Sequence, residues 1–264
     1  MNNFMNKLTE KRKLLMWIAL IPAMALIFWT VNSPAIVGVS ASNRLLPIYC
    51  VERDNKAVSL TFDAAWGNED TQLLIDILEK YNVKATFFVV GDWVDKYPES
   101  VKALSGAGHE VMNHSDDHAH FSKLPADQIT INIETCNDKI ESVTGVRPSL
   151  FRPPYGEYND NVISTVSSMN MQTIQWDVDS LDWKGLSASE ISKRVLNGVS
   201  SGSIVLFHNA AKHTPEALPT IIEELLSNGY ALVPVSEIIL QGEYTMDHTG
   251  RQCPPSEKTT KIHI

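Results

Sequence analysis

The feature that most constrains the fold is an alternation of short apolar segments with amphipathic helical segments, from residue 57 to residue 235. Strands are predicted at Ala57–Phe62, Ala85–Val90, Val111–Asn113, Ser149–Arg152, Thr173–Val178, Ser203–Phe207 and Tyr230–Val235. Helices are predicted at Asp70–Tyr81, Glu99–Gly106, around Cys136 up to Gly145, at Asp160–Met169, at Ser187–Val199 and from Thr214 to Leu226. Such alternation predicts parallel strands, in a closed or nearly closed barrel or in an open doubly wound sheet.

One α/β domain is predicted over residues 50–240, because no linker-like stretch interrupts the alternation. A chain of 264 residues is long enough for one full core. No glycine pattern of the dinucleotide-binding type follows the first strand. The remaining segment, residues 241–264, is rich in Gly, Asp, His, Pro, Lys and Thr and is predicted to be a disordered tail.

Residues 1–41 have the pattern of a membrane anchor or signal segment. The basic residues Lys11–Lys13 precede Leu14–Val31, a run of about 18 residues without a charged side chain. Val39–Ala41 offers a small-residue cleavage site, but it lies well past the apolar run. We expect an uncleaved transmembrane anchor, with secretion after signal cleavage as the alternative. The basic flank predicts that the domain lies outside the cytoplasm.

Charge and cysteine content exclude some classes of protein. The formal net charge is −9, and no cluster of Lys or Arg follows the N-terminal segment, so nucleic acid is not an expected partner. The three cysteines do not make a disulfide framework. Cys136 has the helical spacing of a core residue, whereas Cys50 and Cys253 flank the domain and could pair in an oxidising compartment.

Polar side chains that can take part in catalysis or metal binding lie at the ends of five predicted strands. They are Asp63 after the first, His114 and His118 after the third, Arg152 at the end of the fourth, Asp179 and Asp182 after the fifth, and His208 after the sixth. The carboxyl ends of parallel barrel strands open on one face, which is where such folds have their active sites. The sequence therefore predicts one shared site.

The residue types at this face are chemically complementary. Two histidines four residues apart can bind one metal ion, although solvated loop histidines are the alternative for this pair taken alone. A bound ion activates water and polarises a carbonyl group. Asp63, positioned by Arg152, can accept a proton from water, and His208, oriented by Asp182, can protonate a leaving amine. The pattern indicates metal-assisted hydrolysis of an amide or an ester.

These clusters resemble, in order and spacing over roughly residues 55–240, the five motifs of the polysaccharide deacetylase family, also called the NodB-homology domain or carbohydrate esterase family four. The resemblance implies a distorted, TIM-like β/α barrel of seven strands. It implies Asp63 as the catalytic base, Arg152 as its partner, Asp182 and His208 as the oriented acid, and His114 and His118 as metal ligands. It also implies that Tyr155, Trp183 and Leu206 line a groove for the sugar.

One position departs from the family pattern. The first motif usually has a second Asp, a metal ligand, directly after the base, and this chain has Ala64 there. Two imidazoles fall short of the three protein ligands of a catalytic zinc site. Either Asp63 binds the metal, a nearby group substitutes, or binding is weak. The nearby groups are Asp116, Asp117, Asn68 and Glu69. A divalent metal is expected, zinc first, with cobalt and manganese as alternatives.

An uncharged residue at this position, followed by Trp-Gly, resembles a subgroup found in spore-forming Gram-positive bacteria that acts on cell-wall or spore-cortex glycan. The expected function is N-deacetylation of an acetylated extracellular glycan. A catalytically weak or inactive glycan-binding protein is the alternative that Ala64 indicates, and a polysaccharide O-acetyl esterase would use the same site. The retained acid and base favour an enzyme. Trp66 and Trp93 are expected to be packing residues, and His109 and His120 structural or solvated.

Overall fold

The structure is a computed structural model that describes residues 44–255 and Pro22. The predicted anchor, residues 1–41, therefore lies outside the described residues apart from Pro22. Within the described part of the chain, no helix combines the length and the apolar character needed to cross a membrane. Membrane attachment stays a prediction.

The strands are β1 (Cys50–Val51), β2 (Ala57–Ala64), β3 (Thr86–Val89), β4 (Glu110–Asn113), β5 (Leu150–Phe151), β6 (Gln172–Thr173), β7 (Val178–Asp179), β8 (Ile204–His208), β9 (Ala231–Leu232), β10 (Thr245–Met246) and β11 (Arg251–Cys253). The helices are α1 (Thr71–Lys80), α2 (Gly91–Lys96), α3 (Pro98–Gly106), α4 (Ala126–Thr144), α5 (Asp160–Ser168), α6 (Ala188–Gly198), α7 (Thr214–Ser227) and α8 (Val235–Ile238). Short 3-10 turns cover Phe121–Lys123, Pro154–Gly156 and Asp182–Lys184.

Local sequence explains these elements. Every residue of β2 is buried, as expected for a parallel strand covered on both faces. The predicted capping box opens α6, where the Ser187 hydroxyl and the Glu190 carboxylate each accept a backbone N–H. Gly145 ends α4 in the left-handed conformation, with φ of 73°, which a residue without Cβ adopts at little cost.

The main sheet has parallel strands in the order β6-β5-β4-β3-β2-β8-β7, a curled path of seven strands that forms a half-barrel. β2 lies in its centre, between β3 and β8. The register sets Asp63 of β2 opposite Phe88 on one side and His208 on the other. The carboxyl ends of the central strands therefore meet at one level of one face, as the strand-end pattern predicts.

Two apolar layers hold the sheet. On one face, the stacked rings of Phe62, Phe87 and Phe207 pack with the helices. On the other face, a smaller cluster that includes Phe88 and Ile174 fills the inside of the half-barrel. Burial of apolar side chains on both faces is the main stabilising contribution in such a layered fold.

Two predicted strands are corrected by the structure. The predicted fifth strand, Thr173–Val178, is split into β6 and β7, which lie at opposite edges of the sheet. The segment between them crosses from one edge to the other and makes only one bridge, from Ile174 to Ile48. The predicted seventh strand is reduced to β9, which pairs with the first residues of β2 and lies off the path of seven.

The tail prediction is wrong for residues 245–253. There β10 and β11 form a three-stranded sheet with β1. Gln252 is fully buried, and its side-chain amide exchanges hydrogen bonds with the backbone of Leu240, so it fixes the segment to the domain. Cys50 and Cys253 are free thiols, and Cys50 lies opposite Arg251, two residues out of register with Cys253. Residues 256–264 lie outside the described residues.

Candidate active site

Asp63 and Arg152 form a buried ion pair at the centre of the face. Arg152 is fully buried, and its Nη1 donates to Asp63 Oδ1 and to Thr61 Oγ1, both at 2.8 Å. Its Nη2 donates to the carbonyl of Gln175 at 3.1 Å. Burial raises the pKa of Asp63, but the positive charge of Arg152 and its hydrogen bond to the carboxylate lower it more, so the pKa lies below its ordinary value. Asp63 is therefore a stable carboxylate.

His114 lies beside this pair and has a defined tautomer. Its Nδ1 donates to the backbone carbonyl of Arg152 at 2.7 Å, which leaves Nε2 unprotonated when the ring is neutral. Nε2 lies 3.5 Å from Asp63 Oδ2. Burial lowers the pKa of His114. The ring is thus neutral and presents a lone pair, which is the metal-binding form of histidine.

His118 approaches His114 through a left-handed backbone, with φ of 57° at His118. The two ring centroids are 5.1 Å apart. Burial, together with the neighbouring His114, lowers the pKa of His118 to about 4. Its Nδ1 is buried and has no hydrogen-bond partner. An unpaired buried polar atom is costly, so this nitrogen has unused capacity for a ligand.

The neutral imidazoles of His114 and His118 are suitable ligands for a divalent metal ion. Among the described residues, however, no group of three or more His, Cys, Asp or Glu side chains is arranged to hold a metal ion. The sequence candidates for a third ligand are engaged elsewhere. Asp116 is in an ion pair with Lys139, and Asp117 accepts a hydrogen bond from the Asn132 side chain. The Asn68 side chain donates to Ser100, and Glu69 accepts from the backbone N–H of Asn68. Ala64, 1% exposed, packs in the apolar cluster that contains Phe62.

His208 and Asp182 form the opposite side of the site. Asp182 is buried and accepts hydrogen bonds from the Nδ1 and the backbone N of His208, from the Thr214 hydroxyl and from the Trp183 amide, at 2.7–2.9 Å. Burial by itself lowers the pKa of His208, but the hydrogen bond to Asp182 and the charge of Asp63 raise it above its ordinary value. Nε2 remains as the ring nitrogen available for proton transfer.

The predicted site residues meet in and behind one cavity of about 450 Å³. Asp63, His114, His118, Tyr155, Trp183, Leu206 and His208 line it. Arg152 and Asp182 lie behind it and hold Asp63 and His208. Tyr155 and Trp183 are more than half exposed, at 57% and 59%, whereas Leu206 is buried in the floor.

Sequence reasoning missed several residues of this site. Trp66 and Trp176 line the cavity, as does Asp179, which the sequence placed at a strand end without a role of its own in the site. Thr214 and Asn209 contact the site through side-chain hydrogen bonds. A threonine at the start of a helix and an asparagine after a histidine carry no motif. Only the strand-end position of Asn209, directly after His208, could have indicated it.

The comparisons with known proteins agree with this geometry. A family model described as polysaccharide deacetylase matches residues 51–174. A peptidoglycan-N-acetylglucosamine deacetylase of Bacillus cereus is 36% identical over 184 residues, which cover 68% of this chain and 67% of the relative. The chain belongs to the polysaccharide deacetylase family. The peptidoglycan-N-acetylmuramic acid deacetylase PdaC of Bacillus subtilis is 38% identical over 188 residues, covering 71% of this chain and 40% of PdaC.

A solved family member is also similar in fold. It is named as a CE4 family pseudoenzyme from Bacillus anthracis and matches with a TM-score of 0.71 and 37% identity, covering 73% of this chain and 68% of that one. A mutant of that protein is described as having restored enzymatic activity. The polysaccharide deacetylase family therefore includes members named as enzymes and one named as a pseudoenzyme. The chain spans only 40–60% of the length of the first curated relatives that it matches.

Proposed function

We propose that this protein hydrolyses N-acetyl groups of an extracellular glycan, with peptidoglycan or spore-cortex glycan as the substrate. The observation that carries the proposal is the pairing of a base and an acid in one cavity. Asp63, with a lowered pKa, and His208, with a raised pKa, line the same cavity from adjacent strands. Titratable groups whose surroundings move their pKa values apart are the pattern of acid–base catalysis.

Asp63 supplies the base. It stays ionised, so it can accept the proton of a water molecule that attacks the acetamide carbonyl. Its lowered pKa makes it a weak base in the ground state. The role of Arg152 is to keep Asp63 charged and fixed. Its guanidinium is fully buried, and both Nη atoms donate to protein groups, so it does not reach substrate.

His208 supplies the acid. Loss of acetate from an amide requires that the leaving nitrogen gain a proton, because an amide anion is a very poor leaving group. The imidazolium of His208 can donate this proton from Nε2, since Nδ1 is bonded to Asp182. The raised pKa keeps more of the ring protonated near neutral pH. A protein that only binds glycan does not require this arrangement.

A divalent metal, zinc first and cobalt or manganese as alternatives, would be held by His114 and His118. When bound, it would polarise the acetyl carbonyl and lower the pKa of water. The tautomer of His114 is already set for this role by its bond to the Arg152 carbonyl. The orphaned Nδ1 of His118 supports a ligand on this side. With two imidazoles, binding would be weaker than at a site with three protein ligands.

The walls of the cavity favour an uncharged acetylated hexosamine. Among the described residues that line it, none is Lys or Arg, and Asp63 and Asp179 are acidic. A free muramic acid unit carries a lactyl ether, with its carboxylate, on the carbon next to the one that bears the acetamido group, so it would meet these carboxylates with no Lys or Arg side chain to pair with. Aromatic faces, by contrast, suit the C–H surfaces of a sugar ring. We therefore infer a preference for N-acetylglucosamine units.

Acetate release from purified peptidoglycan and from N-acetylglucosamine oligomers, with and without added zinc, tests the proposal. We expect acetate and free amines in equal amounts, and loss of both in Asp63→Asn. Acetate without new amines would identify an O-acetyl esterase. Equal rates on oligomers that contain free muramic acid would contradict the inferred sugar preference.

A second candidate function is a catalytically inactive glycan-binding protein. Ala64 and the incomplete set of metal ligands favour it, as does similarity to a protein named as a pseudoenzyme. It would bind oligomers and release no acetate at any zinc concentration. That outcome would reject the enzyme proposal.

We further propose that residues 1–41 anchor the protein in the membrane with the domain on the outer, extracytoplasmic face. Secretion after signal cleavage is the alternative. The basic flank and the apolar run support this. External protease added to intact protoplasts should digest the domain. Complete protection of the chain would reject this topology.

A further inference from the structure

Trp66 is exposed in a way that packing does not explain. Its side chain is 64% exposed and lines the cavity, whereas Trp93, expected to have the same packing role, is 2% exposed. The expectation for Trp93 is confirmed, and that for Trp66 is wrong. Exposure of a large aromatic ring is unfavourable in water, so an indole beside a functional cavity points to a contact made in use.

The backbone that carries this indole is firmly held. Asn209 Nδ2 donates to the carbonyls of Trp66 and Gly67 at 2.6 and 2.7 Å, and Asn209 Oδ1 accepts from the Ala65 amide at 3.2 Å. Trp93 Nε1 also donates to the Gly67 carbonyl at 2.6 Å. Gly67 has φ of 60°, and a Cβ there would lie 2.4 Å from a Glu69 carboxylate oxygen. The loop therefore depends on glycine at one position and on Asn209 at another.

Asn209 also connects this loop to the reacting groups. It follows His208 directly, and its backbone N–H donates to the carbonyl of Asp63 at 3.1 Å. The residue is 8% exposed, so its amide group is largely withheld from water. One side chain thus fixes the Trp66 loop relative to both the acid and the base.

The indole is also supported from the side. Its ring meets His118 edge-on at 5.0 Å between centroids, His118 meets Tyr155 edge-on at 4.5 Å, and Tyr155 stacks on His120 at 4.4 Å. The four rings form a continuous aromatic row, and the first three of them line the cavity. A ring whose position is already fixed loses little conformational freedom on binding.

We propose that Trp66 is a carbohydrate-contacting residue at the mouth of the cavity and that Asn209 is the residue that positions it. The ligand is a glycan chain, in accordance with the proposed function on which this inference rests. Trp66 contacts a sugar unit next to the one that presents its acetyl group to Asp63 and His208. Its contribution therefore grows with the number of sugar units.

Binding of β-1,4-linked N-acetylglucosamine oligomers, measured by calorimetry in the His208→Ala background, tests this without turnover. Trp66→Ala should weaken binding of the pentamer by about 3- to 10-fold, the range expected of one aromatic contact, and change binding of the monomer much less. Trp66→Tyr should restore part of the loss. Tyr244→Ala removes another exposed aromatic ring, one that does not line the cavity, and should bind like the background protein.

Asn209 is tested by the same assay and by kinetics. Asn209→Asp keeps the size and the acceptor for the Ala65 amide but loses both donated bonds, so we expect it to weaken pentamer binding as Trp66→Ala does. In the protein with an intact His208, Trp66→Ala should raise KM for the pentamer and leave kcat largely unchanged. A loss in kcat alone would overturn the proposal. So would Trp66 variants that bind every oligomer as tightly as the background protein does.

These outcomes separate the inference from the proposed function. Trp66-dependent binding without any acetate release would reject the catalytic proposal and support Trp66 as a carbohydrate-contacting residue. Acetate release that is unchanged by Trp66→Ala at every oligomer length would support catalysis and reject the proposed Trp66 contact. Failure to bind any oligomer would reject both.

Discussion

The two sides of the cavity differ in how completely their polar groups are satisfied. On the side of the acid, the carboxylate of Asp182 accepts four hydrogen bonds, and His208 has one defined ring orientation. On the side of the histidine pair, His118 has a buried nitrogen without a partner, and Ala64 contributes no donor. The Asp182–His208 pair is already oriented by its own hydrogen bonds, while the histidine pair leaves capacity for a ligand.

The physical meaning of this difference is energetic. A buried polar atom without a partner costs about 1–3 kcal/mol, so a ligand bound at His118 Nδ1 would recover free energy of that order. The Asp182 side has nothing of this kind to gain. We therefore expect changes on the acid side to alter turnover, and changes on the histidine side to alter the dependence on metal.

The largest effect is expected for His208→Ala. General acid catalysis contributes about 10²–10⁴-fold, so acetate release should fall by this factor while oligomer binding changes little. His213→Ala is the matched control, because His213 follows the same strand but pairs with the exposed Glu216. Unchanged acetate release in His208→Ala would remove the acid side from the mechanism.

Asp182→Asn should have a smaller effect on rate and a distinct effect on pH dependence. The imidazole remains, so we expect a loss of about 10²-fold, the lower end of the range for acid catalysis. Asp182 raises the pKa of His208, so its neutral replacement lowers that pKa, and the proton is lost at a lower pH. The alkaline limb of the pH–rate profile should move to lower pH, and a profile that keeps its limb would contradict the assignment.

Asp179→Asn provides the comparison for that shift. The charge of Asp179 also raises the pKa of His208, but it stands last among the contributing groups. Its replacement should move the alkaline limb in the same direction by less. A larger shift than in Asp182→Asn would contradict the ranking of the two carboxylates.

On the histidine side, Ala64→Asp should tighten metal binding. Ala64 is buried, so a carboxylate there is desolvated and can offset that cost by pairing with a cation. In chelator, Tm should therefore fall below that of the unmodified protein, and zinc should raise it by more. Each ten-fold gain in affinity adds about 1.4 kcal/mol of stabilisation at saturating metal.

Two further variants complete the metal test. His118→Ala should abolish most of the response to zinc, because it removes one of two imidazoles. Ala65→Asp, whose position lines the cavity, shows whether any carboxylate at the strand end suffices. Identical zinc responses in the unmodified protein and Ala64→Asp would mean that position 64 faces only the apolar core. Full activity of the unmodified protein in strong chelator would reject the metal role.

The smallest effect is expected for Thr214→Val, which removes one of the four hydrogen bonds to Asp182. A single such bond stabilises a fold by about 0.5–1.5 kcal/mol, and three donors remain. Denaturant unfolding should show a loss in that range, with acetate release within a few-fold. Thr130→Val, whose hydroxyl bonds to Ala126 within α4, is the control on a solvent-facing turn. A large loss of activity in Thr214→Val would show that Asp182 is less securely held than its hydrogen bonds indicate.

Local patterns in the sequence were enough to predict the fold class and to group the strand-end residues at one face. The alternation of strands and helices is a local pattern, and parallel strands place all strand ends on one face, so Asp63, His114, Arg152 and His208 could be grouped without coordinates. The order and spacing of the same residues also indicated the family. Element bounds were predicted within a few residues for most helices, since these depend on local periodicity and caps.

Which segments are neighbours, and which side chains face the cavity, could be seen only in the folded molecule. Thr173–Val178 has the composition of one strand, but its two ends pair with opposite edges of the sheet. Trp66 and Trp93 are alike in sequence terms, yet one is exposed at the cavity and the other is buried. Asn209 has a role only because its amide meets a loop more than a hundred residues away. Propensity and periodicity act over a few residues, whereas these outcomes depend on contacts between distant parts of the chain.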